Sequence, residues 1–534
     1  MMKNYKFLVV GLLALGIVSC EPDLDNPIDE KGSVYTNGEA DFSNYVALGN
    51  SLTAGYADNA LYITGQRNSY PNILAGQFAL TQETQEFTIP YMNDNAGGLL
   101  LSGEPLQGFN NRLVLAVDED GERAPSVYTG MSPTTDISNI LEGPFSNMGV
   151  PGAKSYHLGV AGYGNIAGVQ AGLANPYFVR FASSPQTSIM ADAMAQNPTF
   201  FTLWIGNNDV LGYASSGGTG VNQTGNLDPR TYGSNDITDP DVFAQVYSGL
   251  VQTLISGGAK GVLINIPDVT DVAFFNTVPF NALNPAANDD FAAQIPTLNA
   301  TFSQLNQVFA ALQVSDRSIQ YSETAASPVL IFDESLTNLS AEITQVLTQS
   351  GFDASMAALY GQQFGQVRQA TSEDLFTLTS SRVIGQLNET RFTQLVQAGV
   401  PQEMAGQLAI NGITYPLGDE YVLIPSEQTE ILEATNAFNT SIKSIATTNN
   451  LAFVDANAML SQVANGGVAY DGGSVTSTFG TGGAFSLDGV HLTPRGYAVM
   501  ANEIIDQINA TYGSTVPKVN VGQYNTITPS NDVQ

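Results

Sequence analysis

The sequence is poor in cysteine, histidine, tryptophan and positive charge. Its single cysteine, Cys20, excludes an internal disulfide framework and a cysteine-rich metal site. There are two histidines, His157 and His491, so acid–base chemistry that uses imidazole near neutral pH has a short list of candidates. One tryptophan leaves little for an aromatic sugar platform. Seventeen lysines and arginines stand against 49 aspartates and glutamates, a formal charge of −32 over 534 residues. That field repels nucleic acid and makes anionic substrates or headgroups poor partners. Charged residues are only 12 %, which excludes a salt-bridge-laced coiled coil, whereas 43 % hydrophobic residues can build a sizeable core.

Long apolar runs are also lacking: none reaches the roughly 20 residues that span a bilayer. The apolar stretch Phe7 to Val18 follows Lys3 and Lys6 and fits the h-region of a signal segment. It runs into Ile17-Val18-Ser19-Cys20, which resembles the bacterial lipobox. The resemblance implies that residues 1–20 are a lipoprotein signal peptide and that Cys20 is lipidated. The chain is then anchored by lipid to the outer membrane, at its periplasmic face or the cell surface. Residues 21–44 are acidic with little apolar content and read as a flexible tether, similar to the acidic start of surface lipoproteins of the Bacteroidetes type.

Four short apolar runs stopped by turn residues read as buried parallel strands: Tyr45 to Leu48, Thr199 to Ile205, Gly261 to Ile266 and Leu451 to Val454. Helical spacing over Val242 to Ile255 and Glu427 to Thr447 precedes the third and fourth. A last helix begins at Thr493-Pro494, a cap followed by proline at the first helical position. Alternating strands and helices predict an α/β fold, a mainly parallel sheet covered on both faces in three layers. The core, 45–512, is interrupted by expected insertions at about 58–142, 215–241 and 269–425, the last of them helical, and residues 513–534 read as a polar tail.

Four blocks carry possible chemistry. Gly49-Asn50-Ser51-Leu52-Thr53-Ala54-Gly55 follows the first strand, where a serine is held at the mouth of the sheet. Asn147 to Ala153 and Gly206-Asn207-Asn208-Asp209 offer glycine N–H groups and asparagine amides, uncharged donors suited to an oxyanion. Asp488-Gly489-Val490-His491 can turn a carboxylate onto an imidazole. Each alone is a common turn. Together and in this order they resemble the SGNH (GDSL-type) hydrolase superfamily.

The resemblance implies an SGNH/flavodoxin-like sheet and a serine esterase or lipase. Ser51 is then the nucleophile, His491 the general base and Asp488 its orienting acid. The backbone N–H groups of Ser51 and Gly152 and the Asn208 side chain form the oxyanion hole. No metal or organic cofactor is implied, and the substrate is an acyl lipid or an acylated glycan. A carbohydrate O-deacetylase of the same superfamily and a non-catalytic glycan- or nutrient-binding surface lipoprotein are the alternatives. Asn50 stands where the family usually has aspartate. His157 and Trp204 read as structural, Asp209 as a support for its loop, and Asp455 as a second candidate for the orienting acid. Asp118-Glu119-Asp120-Gly121-Glu122 starts like a calcium loop but no complete ligand set follows.

Overall fold

The computed structural model describes residues 34–117, 121 and 123–527. The expected signal segment with Cys20, residues 21–33 of the expected tether, and Asp118, Glu119, Asp120 and Glu122 lie outside the described residues. Among the described residues no helix is long and apolar enough to cross a membrane.

The fold is mixed α/β around a parallel sheet of β1 (Tyr45–Gly49), β2 (Asn147–Gly149), β3 (Phe200–Trp204), β4 (Lys260–Ile264) and β5 (Ala452–Val454). The strands lie in the order β2-β1-β3-β4-β5, all parallel. Four of them sit on the four apolar runs. β2 does not: it is Asn-Met-Gly, too short and too polar to register as a strand. Its own side chain holds it, because Asn147 Nδ2 donates to Thr53 O (2.9 Å) and Asn147 Oδ1 accepts from Gly149 N (2.9 Å).

The helices used below are α1 (Ser51–Ala54), α2 (Tyr70–Phe78), α3 (Asn208–Ser215), α4 (Pro240–Ile255), α5 (Asp289–Ala311), α6 (Pro425–Thr448), α7 (Ala456–Asn465) and α8 (Pro494–Tyr512). Thr493 caps α8, its hydroxyl accepting from Gly496 N at 3.1 Å. Side chains alternate along β3. Phe200 and Trp204 meet the rings of Phe78 (5.6 Å) and Tyr70 (5.6 Å) on α2, and α2 packs against α8. On α4 and α6 the rings of Phe243 and Phe438 stack at 4.2 Å.

Three expected boundaries are corrected. The core begins before Tyr45: Phe42 is fully buried and stacks on Phe78 at 4.1 Å, and Ala40 is buried too. An alternation of apolar and acidic residues, Glu39-Ala40-Asp41-Phe42, hides these in an acidic stretch. The expected insertion at 58–142 contains α2, which belongs to the main core. Residues 513–524 are not a loose tail. Val516 and Val521 are buried, and Asn509 and Asn502 on α8 bond the backbone of Val516 and Val519.

The stretch 269–425 is a mixed unit rather than a purely helical one. It holds α5, helices Ser340–Gln349 and Ala354–Phe364, and an antiparallel pair of Leu330–Phe332 with Val367–Gln369. Phe291, Phe302, Ile331, Leu347 and Phe364 give it a hydrophobic cluster of its own.

At the amino edge of the sheet, the Tyr512 hydroxyl donates to Gly261 O (2.7 Å) and accepts from Gly261 N (3.3 Å) and Ala452 N (3.1 Å). It ties β4 to β5 below their first shared register position. Tyr512→Phe is expected to cost about 1–3 kcal/mol, since buried backbone groups lose their partner. Urea denaturation monitored by circular dichroism measures it, with the slope unchanged.

Candidate active site

Register aligns Gly49 with Gly149 and with Trp204, so the loops after β1, β2 and β3 leave the carboxyl edge side by side. The chain moves from β1 outward to β2 and then back to β3 on the other side of β1. The crevice at such a switch point is where open α/β sheets hold ligands.

Ser51 starts α1 directly after β1. The helix can lie on β2 because residue 149 is glycine: a Cβ there would sit 2.3 Å from Ala54 N. Asn50 caps the helix, its Oδ1 accepting from Leu52 N at 3.0 Å. Its Nδ2 donates to Asn207 Oδ1, also at 3.0 Å, which joins the first block to the third. An aspartate could not make that donation. Asn50 is fully buried, and its neutral amide makes both bonds without placing a charge away from water.

Ser51 Oγ lies 2.8 Å from His491 Nε2, and His491 Nδ1 lies 2.9 Å from Asp488 Oδ2. With Nδ1–H given to Asp488, Nε2 is left to accept the serine hydroxyl proton. The Tyr56 ring packs 4.6 Å from the imidazole, and the Tyr497 hydroxyl holds Tyr56 by its carbonyl at 2.8 Å.

Asp488 accepts on both oxygens. Ser486 Oγ (3.1 Å), Val490 N (2.9 Å) and His491 N (2.8 Å) donate to Oδ1, while Asn59 N (2.8 Å) joins His491 Nδ1 on Oδ2. Burial alone would raise its carboxyl; the charge of His491 and these donors outweigh burial and hold it well below the usual carboxylate range.

One layer out lies a clasp that sequence reading missed. Asp58 and Asn59 both have positive φ, 51° and 61°, and this turn aims Asn59 N at Asp488. The Asp58 carboxylate accepts from Leu487 N (3.0 Å), the Tyr62 hydroxyl (2.8 Å) and Arg112 Nη2 (2.9 Å). Arg112 in turn lies 4.0 Å over the Tyr62 ring. Burial pushes the Asp58 carboxyl up, and Arg112 opposes it. An Asp-Asn pair, which tolerates the left-handed region, was the local signal available.

The second and third blocks meet the first at the same edge. Val150 N donates to Gly49 O (3.0 Å), and Asn208 Nδ2 donates to Ala153 O (2.9 Å). Gly152 has φ +80° and is exposed, a conformation for which glycine is suited. Among the described residues, the N–H groups of Ser51 and Gly152 have no protein acceptor. Asn208 retains a second amide hydrogen. These donors can receive an anionic oxygen.

Asp209 is fully buried and accepts from Ser155 N (2.8 Å) and Ser155 Oγ (2.7 Å), which fastens the loop after Gly152 to α3. His157 accepts from Lys154 N at Nδ1 (3.0 Å) and stacks on Tyr163 (4.5 Å). Burial, then the Lys154 charge, lowers its pKa to about 4. It is a structural histidine. Asp455 caps α7 and accepts from Asn265 Nδ2, so it is not the partner of His491.

Trp204 is buried, its indole N–H donating to Asn265 O at 3.1 Å, but it also lines a pocket that opens on Ser51, Asn208 and His491. The pocket has a volume of about 90 Å³, and among the described residues that wall it His491 is the one acidic or basic side chain. Elsewhere, Glu334, Asp419 and Glu427 bring carboxylate oxygens within 4.8 Å of one another, the one group among the described residues that could hold a metal ion. Burial, then neighbouring carboxylates, raises Asp419; burial, and Glu334 beside it, raises Glu427. Comparison of the chain with protein-family models, curated proteins and solved structures found no match.

Two outcomes follow from this geometry. Arg112→Ala frees Asp58 from its clasp and is expected to slow Ser51 labelling by a fluorophosphonate about 10- to 100-fold, since misplacement of about 1 Å has effects of that order. His157 has a lowered pKa, so the unfolded chain binds its proton first as pH falls. Its stabilising effect is complete above pH 6.5 and is lost on descent towards about 4. Relative to His157→Gln, the native protein should lose about 1–3 kcal/mol over that window in chemical denaturation.

Proposed function

We propose that the chain is a serine ester hydrolase of the SGNH (GDSL-type) superfamily, held outside the cytoplasm by a lipid on Cys20. The observation that carries the reading is the unbroken line from Ser51 Oγ through His491 Nε2 (2.8 Å) and Nδ1 to Asp488 Oδ2 (2.9 Å). The strand order β2-β1-β3-β4-β5, with Ser51 and Asn208 flanking the switch point, supports a three-layer SGNH/flavodoxin-like architecture. The lipid anchor and the outer-membrane location rest on the lipobox-like segment at Cys20.

His491 Nε2 takes the Ser51 proton as Oγ attacks the ester carbonyl carbon. Negative charge collects on the carbonyl oxygen, and the Ser51 and Gly152 N–H groups and the free Asn208 amide hydrogen stabilise it. Asp488 stabilises the imidazolium. His491 then gives its proton to the leaving alkoxide oxygen as the carbon–oxygen bond breaks, leaving an acyl-enzyme. Water repeats the sequence, with His491 as base, and releases the acid. The apolar pocket beside Ser51 supports an ester whose acyl group is a hydrocarbon chain.

On p-nitrophenyl esters the protein should turn over and Ser51→Ala should not. Asn208→Ala should lower kcat about 10²- to 10³-fold with little change in KM, as expected for a donor used in the transition state. Hydrolysis that survives Ser51→Ala would refute the mechanism.

A further inference from the structure

We infer that the substrate is an ester apolar on both sides of its carbonyl, with the acyl chain in the pocket beside Ser51 and a bulky apolar alcohol in a second cleft built by the insertions. This rests on the ester-hydrolase reading. Two cavities meet at the site, and His491, Leu211 and Val490 line both. Ser51 and Asn208 line only the first; Asp488 lines only the second.

That asymmetry assigns the two halves of the ester. The acyl carbon stays bonded to Ser51 Oγ after the first step, with its oxygen towards Asn208. Its chain therefore extends on the Ser51 side. The alcohol oxygen must take its proton from His491 Nε2 as the bond to the acyl carbon breaks, so the alcohol extends on the far side of the imidazole.

The first pocket is walled by Met459, Leu460 and Val463 of α7, by Val475 and Phe485, and by Met500 of α8. An acetyl group would leave most of these apolar side chains without a partner. The second cleft is larger, about 960 Å³. Its walls come from the hairpin Leu113–Val117/Arg123–Val127 and from the 269–425 unit, through Leu113, Val127, Phe274, Val278, Leu378 and Ile384. Arg382 donates to Pro125 O and so ties the two walls together. Neither wall belongs to the sheet: both are additions to the core, and their lining is mainly apolar, with Thr277, Thr379, Ser381 and Arg382 interspersed.

The test is a two-way ester panel on the purified protein: acyl chains from acetate to dodecanoate with one alcohol, and alcohols from methanol to decanol with octanoate. We expect kcat/KM to rise about fourfold per acyl methylene until the pocket fills, and to rise with alcohol length as well. Val463→Trp, or the milder Met459→Phe should the first fail to fold, shortens the acyl optimum and leaves the alcohol preference unchanged. Leu378→Asn weakens the preference for long alcohols several-fold but leaves the deacylation rate unchanged, because the alcohol has by then departed. A flat response to acyl or alcohol length overturns the inference. So does an exchange of the two variants' effects, or faster turnover of acetylated glycans. Absence of both Ser51-dependent hydrolysis and fluorophosphonate labelling would instead strike the ester-hydrolase reading itself.

Discussion

A buried anion governs this site. Asp488 is largely removed from water, and an unpaired carboxylate in that position would cost several kcal/mol. The chain answers with donors from two distant stretches: its own loop, 486–491, and the turn at 58–59. The first gives the imidazole its position. The second needs a left-handed turn, and Asp58 then becomes a second buried acid that Arg112 and Tyr62 must satisfy. The first insertion is thus bound to the 486–491 loop by hydrogen bonds to buried carboxylates, not merely laid over it.

Much of the site was legible because its residues sit in short blocks whose local chemistry is distinctive. Ser51 and Asn208 each open the helix that follows a strand, Asp488 and His491 precede a capped helix, and few histidines competed for the place beside Ser51. Four strands were legible for the same reason: they are brief, mostly apolar and stopped by turn residues. β2 was not, because hydrogen bonds of Asn147 rather than a hydrophobic run define it. Phe42 was hidden between acids, and its burial against Phe78 depends on contacts that local composition does not reveal.

The clasp was out of reach for a different reason. Asn59 and Asp488 are brought together only by the closed fold, and a backbone N–H leaves no mark on residue identity. The role of Arg112 follows from Asp58, so it was hidden as well. Trp204 shows the limit of a binary reading: it is core by burial and pocket by position, since the sheet's carboxyl edge serves as both. The 269–425 stretch read as helical because its longer helices carry the clearest periodicity, while its two-stranded ladders are only a few residues long.

The packing of residues 36–42 fixes where the chain enters the fold. Thr36 accepts from Thr515 N, Glu39 pairs with Lys260 at 3.0 Å, and Phe42 enters the core beside the start of β1. All of these lie at the amino edge of the sheet, whereas Ser51 opens at the carboxyl edge, the full length of β1 away. A chain that enters at that amino edge leaves the Ser51 edge on the opposite side of the sheet. If Cys20 carries a lipid, the chain reaches the fold on the side away from Ser51, so the apolar pocket need not lie against the bilayer that holds it.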